Sequence, residues 1–134
     1  MTDTIRVAAY ARSATAPDNE AIQRQIQRCQ DEAERKGWSL CQVFQDEGIS
    51  GNSDDRTGLN ALRSGFHENQ LDVVLVESAD RLFRDLVLIR DFLELAEEFG
   101  IEVRISEQKR SLSSRELPQL GRRIHILRGM EHNK

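Results

Sequence analysis

The chain has 134 residues, 38% hydrophobic and 31% charged, with a formal charge of -4; this is the make-up of one folded domain with one core rather than of a disordered or membrane chain. No apolar run approaches the ~20 residues of a membrane span, and "MTDTIRV" lacks the basic and apolar regions of a signal peptide, so the cytoplasm is the expected location. Charge is uneven, net -9 up to Val103 and net +5 from Arg104 onward, so an anionic partner is expected at a local site and at the C-terminal part, not over the whole surface.

In chain order, "IRVAAY" (5 to 10) reads as a first strand. Asn19 to Lys36 follows as a helix with Ile22, Ile26, Cys29 and Ala33 on one stripe, Asp18 as its N-cap and Gly37 as its stop. "WSLCQVF" (38 to 44) is a second strand and Thr57 to Asn69 a shorter helix anchored by Leu59 and Leu62. "LDVVLVE" (71 to 77) is apolar almost throughout, as expected of a strand covered on both faces. Leu82 to Phe99 reads as one helix, with Leu86, Ile89, Leu93 and Ala96 on a stripe and Gly100 after it. "IEVRI" (101 to 105) is the fourth strand. "SEQKRSLSSREL" has no periodicity and reads as a polar loop. From Pro118, Leu120, Ile124 and Leu127 fall on one face of a last helix whose wet side holds Arg122, Arg123 and Arg128.

Strands alternating with helices specify an α/β fold: a three-layer sandwich, with a mainly parallel sheet of four or five strands, helices on both faces and a C-terminal helix. In such sheets ligands bind beyond the carboxyl ends of the strands, so the residues following each strand are the candidates. The first strand opens onto Arg12, Ser13, Ala14 and Thr15. The second is followed by "QDEGISGNSDDR", with Asp46, Ser50, Gly51 and Arg56, and the third by "SADRLFRD", with Asp80, Arg81 and Arg84. Four arginines with hydroxyls and a carboxylate on one edge suit a phosphate and the charge that builds on its oxygens during transfer. Each piece also fits a plainer description. "DEGISGNSDD" alone is a polar loop turned by Gly48 and Gly51, and "DRLFRD" alone is a helix start capped by Asp80 with Arg84 paired to Asp85 or Asp80.

Cofactor signatures are absent from the sequence. It has neither a Walker-type Gly-x-x-x-x-Gly-Lys nor a Gly-x-Gly-x-x-Gly after the first strand. His67, His125 and His132 have no ligand spacing, and the acidic group Asp46, Glu47, Asp54, Asp55 ends in Arg56, so no metal and no small-molecule cofactor is expected. Cys29 and Cys41 are too few for a disulfide scaffold and read as small buried hydrophobes. Only Lys36, Lys109 and Lys134 are lysines among 19 basic residues. Arginine dominance fits bidentate recognition of phosphate or carboxylate, and a high-GC genome produces the same bias.

"YAR" with "AIQRQIQRC", "FQDEGISG" with "DDRTGL", and "DRLFRD", in that order and spacing, resemble the N-terminal catalytic domain of the serine recombinases, the resolvase and invertase family. The resemblance covers residues 5 to about 110. It implies a resolvase-like catalytic domain over 1-110, then a loop and the start of a dimerisation helix that runs towards DNA over 111-134, with Arg122, Arg123 and Arg128 near the DNA. It further implies site-specific cleavage and rejoining of double-stranded DNA. A serine attacks a phosphodiester to give a 5'-phosphoserine link within a tetramer assembled from homodimers, without membrane, metal or nucleotide. By the same resemblance Arg12, Arg56, Arg81 and Arg84 hold the scissile phosphate and Asp80 orients them or assists proton movement. Tyr10, Gln25, Asp46 and Ser50 complete the pocket.

Two departures stand out. The family pattern Tyr-x-Arg-x-Ser puts the nucleophile where this chain has Ala14, and no separate DNA-binding domain follows in this sequence. Ala14 fits an engineered serine-to-alanine change, a nucleophile displaced to Ser13 or Thr15, or a natural pseudo-recombinase that assembles or binds DNA without cutting. Against displacement, neighbouring side chains on an extended stretch face opposite ways, so Ser13 is expected to point away from position 14. A small phosphorylated substrate would account for the arginines but not for the basic terminal helix. Arg56 and Arg84 are both expected to be exposed at the sheet edge.

Overall fold

A computed structural model describes residues 5-14, 19-48 and 56-117. Its five strands are β1 (Arg6–Ser13), β2 (Ser39–Glu47), β3 (Val73–Val76), β4 (Glu102–Ile105) and β5 (Arg110–Ser111), in the spatial order β2-β1-β3-β4-β5. β1 pairs in parallel with β2 and β3, and β3 with β4, while β5 returns antiparallel along β4. The helices are α1 (Asn19–Arg35), α2 (Thr57–His67), α3 (Ala79–Leu82) and α4 (Leu86–Glu98). The expected mainly parallel α/β sandwich is therefore the observed one.

Alternation along the strands divides the core in two. Val7, Ala9, Val73 and Leu75 face α1, where they pack on Cys29 and Ala33. Ala8, Tyr10, Val74 and Val76 join Leu59, Leu62 and Phe66 of α2 and Ile89, Phe92, Leu93 and Ala96 of α4 in the larger cluster. β1 and β3 lie inside the sheet with both faces covered, which is why "VAAYA" and "VVLV" are apolar at consecutive positions. Among the described residues no helix is long and apolar enough to cross a membrane.

Three local readings change. The helix expected over 82-99 is two helices: Phe83 is extended (φ -151°, ψ 157°), and Asp85 caps α4 by accepting from the amides of Val87 at 2.8 Å and Leu88 at 3.2 Å. Fully buried Phe83 belongs to the larger core, a placement that an unbroken helical period through residues 83-85 would forgo. The polar loop after β4 contains β5 and a one-turn 3-10 helix (Ser114–Glu116) opened by a Ser113/Glu116 capping box. Leu112 and Leu117 return to the core. Two-residue strands and single turns leave no periodic trace in a sequence. Of the cysteines, Cys29 is buried as expected, its thiol pushed up to about 12 chiefly by burial. Cys41, on the outer strand β2, is exposed.

A charged group inside the α1 layer had no sequence signal. Glu32 is buried and accepts from Arg35 (2.9 and 2.8 Å) and from Arg104 Nε of β4 (2.7 Å), with the Trp38 ring beside the Arg104 guanidinium. Hydrogen bonds from Arg35, joined by those of Arg104 and outweighing burial, hold the Glu32 carboxyl down at about 2. A depressed carboxylate contributes stability that is full above its unfolded value and lost as pH falls through the folded one. Resistance to urea is thus expected to fall as the pH drops from 4.5 to about 2. Glu32→Gln should flatten that part of the profile, and an unchanged slope would contradict the assignment.

Candidate active site

The carboxyl ends of β1 and β3, the last turn of β2 and the short helix α3 meet at one edge of the sheet. Position by position, the strand alternation sorts the opening residues of this edge. Tyr10 lies on the α2 side of β1, so Arg12 shares its face, and Ser13 follows Val7 and Ala9 towards α1. Ser13 is buried, whereas Ala14, at a bend just past the strand, is exposed.

Arg12 and Arg56 are both buried, and both reach the same turn of chain. Arg12 Nε donates to the Arg81 carbonyl at 3.0 Å and Nη2 to the Asp80 carbonyl at 2.7 Å. Arg56 donates to the carbonyls of Arg81 (3.3 Å) and Leu82 and to the Tyr10 hydroxyl (3.1 Å), with its guanidinium 4.4 Å from the Phe83 ring centre. The expected exposure of Arg56 is thereby corrected: its relative exposure is 0%. Burial there is tolerable because planar donors meet several carbonyls at once and the flat cation stacks on an aromatic face. Arg84 is exposed, as expected, and Arg81 is half-buried.

The four arginines share one electrostatic neighbourhood. The Arg12 guanidinium is held below the usual arginine value first by burial, then by the charges of Arg56, Arg81 and Arg84, with Tyr10 opposing. Like charges gathered in partly desolvated surroundings repel, and an anion placed among them relieves that repulsion.

Among the described residues, the other expected pocket residues bond to the strand and helix ends around these arginines. Gln25 of α1 clamps the Arg12 main chain, accepting from its amide (3.0 Å) and donating to its carbonyl (2.9 Å). Asp46 accepts from the Tyr10 hydroxyl (2.6 Å) and from the amides of Gly58 (2.7 Å) and Leu59 (3.0 Å), so it caps α2 from the neighbouring strand. The approach is close enough to exclude a side chain at Gly58, where a Cβ would lie 2.3 Å from the Gln45 carbonyl oxygen. Burial, with the Asp46 hydrogen bond next, pushes the Tyr10 phenol well up, so it stays neutral and donating. Asp80 is exposed; its carboxylate accepts from Ser78 Oγ, and it is the Asp80 carbonyl that receives Arg12. Ser50 and the basic residues Arg122, Arg123 and Arg128 lie outside the described residues. Sequence reasoning missed Phe83, the platform under Arg56, and Glu77, a buried acid at the end of β3 whose only trace was its spacing of four from Arg81.

Residues 7-130 match the family model of the resolvase N-terminal domain. Tn3 transposon resolvases of Escherichia coli and Klebsiella pneumoniae are each 36% identical over 103 residues, covering 75% of this chain and 49% of those proteins, so the chain spans about half the length of these curated relatives. Among solved structures, the C-terminal catalytic domain of ISC1926 TnpA, an IS607-like serine recombinase, superposes with a TM-score of 0.71 at 30% identity, covering 76% of this chain and 67% of that one. The N-terminal catalytic domain of TP901-1 integrase shares the fold, with a TM-score of 0.75 at 24% identity over 96% of this chain and 97% of that one.

Proposed function

Because the chain belongs to the serine recombinase family, as a resolvase-type catalytic domain, we propose that it is a site-specific recombinase domain built to grip a DNA phosphodiester, with Ala14 in the place of the attacking serine. The observation that carries this reading is the electrostatic convergence of Arg12, Arg56, Arg81 and Arg84 at the edge where Ala14 emerges. In this reading Arg81 and Arg84 meet the phosphate from the solvent side. Arg12 and Arg56 shape the 80-82 turn from beneath and add positive charge without facing water. Double-stranded DNA is the partner, engaged by homodimers that join as a tetramer, and Arg122, Arg123 and Arg128 supply positive charge for it in the C-terminal part of the sequence.

The chemistry requires an oxygen at position 14. With a serine there, Oγ attacks phosphorus, the Oγ-P bond forms as the P-O3' bond breaks, and the serine proton ends on the departing 3'-hydroxyl. The phosphoserine ester keeps the energy needed for the reverse attack that rejoins the strands. Alanine supplies no nucleophile, so the unaltered chain binds and assembles without cutting. Ser13 does not replace it, since it is buried and strand alternation turns it to the face opposite Arg12.

A library of nicked suicide duplexes tests this. The unaltered chain should give no detergent-resistant protein-DNA adduct, and Ala14→Ser should give one. An adduct from the unaltered chain that disappears on Ser13→Ala would overturn the role of Ala14. A folded Ala14→Ser variant with no adduct on any duplex would overturn the recombinase reading.

A further inference from the structure

Glu77 is an unexpected residue for this edge, because a carboxylate among phosphate-binding arginines subtracts from the charge they offer. It is 4% exposed, and its main chain is fixed: its carbonyl accepts from the Glu107 amide at 3.1 Å, which ties the end of β3 to the segment after β4. Its two carboxylate oxygens are divided between two cations. Oε1 accepts from Arg81 Nε at 3.2 Å and Oε2 from Arg28 Nη1 of α1. Two guanidiniums around one carboxylate leave the group net positive, so Arg28 offsets the charge that Glu77 would otherwise remove from the clamp.

Arg81 is therefore gripped from both ends. Its carbonyl receives Arg12 and Arg56, and its Nε edge rests on Glu77, four residues earlier. Among the described residues, no hydrogen bond engages its two Nη groups, which remain for an oxygen from outside. An arginine side chain free to rotate would have to be ordered each time a phosphate arrived; a buried carboxylate on its Nε edge orders it beforehand.

We propose that Glu77 is a positioning residue, which presets the Arg81 guanidinium for the phosphate while Arg28 neutralises the surplus charge. The proposal rests on the recombinase reading above, and its test separates the two. Glu77→Gln keeps the shape but turns an amide NH2 towards one of the two guanidiniums, so one pair must break. In an Ala14→Ser background this change should slow adduct formation by about 10- to 100-fold, as misplacement of a reacting group does. Affinity for the same duplex should change by no more than about twofold, since the total arginine complement is kept. Glu77→Asp, which keeps the charge, should recover part of the rate. A merely structural Glu77 would lower the melting temperature and leave the rate of the folded fraction unchanged, and that result would overturn the proposal. A second readout needs no cleavage: in 15N spectra of the unaltered chain the Arg81 Nε-H should be protected from exchange, and Glu77→Gln should abolish the protection. If Ala14→Ser forms no adduct, the recombinase reading fails alone. Protection lost on Glu77→Gln then supports the pairing, and protection retained overturns it.

Discussion

Arg56→Ala is expected to lower the unfolding free energy by about 3-5 kcal/mol, because it removes a buried partner of several groups at once. The carbonyls of Arg81 and Leu82 and the Tyr10 hydroxyl each lose a charged donor. They do so where water does not reach, since Tyr10 and Leu82 are both 0% exposed. A hydrogen bond to a charged group is worth about 1.5-3 kcal/mol, and a vacated side-chain volume adds its own cavity cost. The Phe83 ring also loses the cation stacked on it at 4.4 Å. Arg56→Lys should recover only part of the loss, since one ammonium cannot reach two carbonyls and lie flat on a ring. Urea midpoints of the three proteins check this; a loss under about 1 kcal/mol for Arg56→Ala would place the residue among ordinary surface changes.

Arg84→Ala should behave in the opposite way. Arg84 is exposed, and changes at such positions usually stay within about 0.5 kcal/mol of the parent stability. In the Ala14→Ser background, however, it should reduce the rate of adduct formation by about 10²- to 10³-fold, the usual cost of deleting one donor to developing charge. Single-turnover cleavage together with a melting curve separates the two effects. Normal cleavage by Arg84→Ala would remove this residue from the phosphate site. The contrast has a physical origin: both arginines follow strands at the same sheet edge, but one is roofed by the chain that carries the other.

The site was legible in the sequence to the extent that it lies on chain order. Arg12, Arg81 and Arg84 could be assigned to the carboxyl edge because strand and helix periods place residues 12 and 80-84 after parallel strands. Depth was not legible. Nothing in "DDRTGL" distinguishes an arginine facing solvent from one buried against Phe83, since its partners are carbonyls at residues 81 and 82, which every sequence possesses. Asp46 shows the same limit. Its position after an apolar strand resembles a pocket acid, yet its oxygens are committed to Tyr10 and to the amides opening α2.

The break at Phe83 to Asp85 was likewise hidden, because Leu82, Leu86 and Ile89 keep a helical spacing through it. It took the burial of Phe83 and the capping of α4 by Asp85 to end one helix and begin another. Glu77 and Glu32 carry no local pattern that marks them, and only packing brings Arg28, Arg81 and Arg104 to them.

By itself the sequence determined the order of the four longer strands and of the helices between them, save for the break at Phe83 to Asp85, the edge on which the arginines gather and the absence of an oxygen at position 14. These are properties of periodicity and residue identity, which the covalent chain holds before it folds. Only the tertiary structure decided which arginines are buried braces and which meet the solvent, that Ser13 is buried, and that a carboxylate sits beside Arg81. Burial and long-range hydrogen bonding depend on what the rest of the chain places around a residue, and no local pattern encodes that.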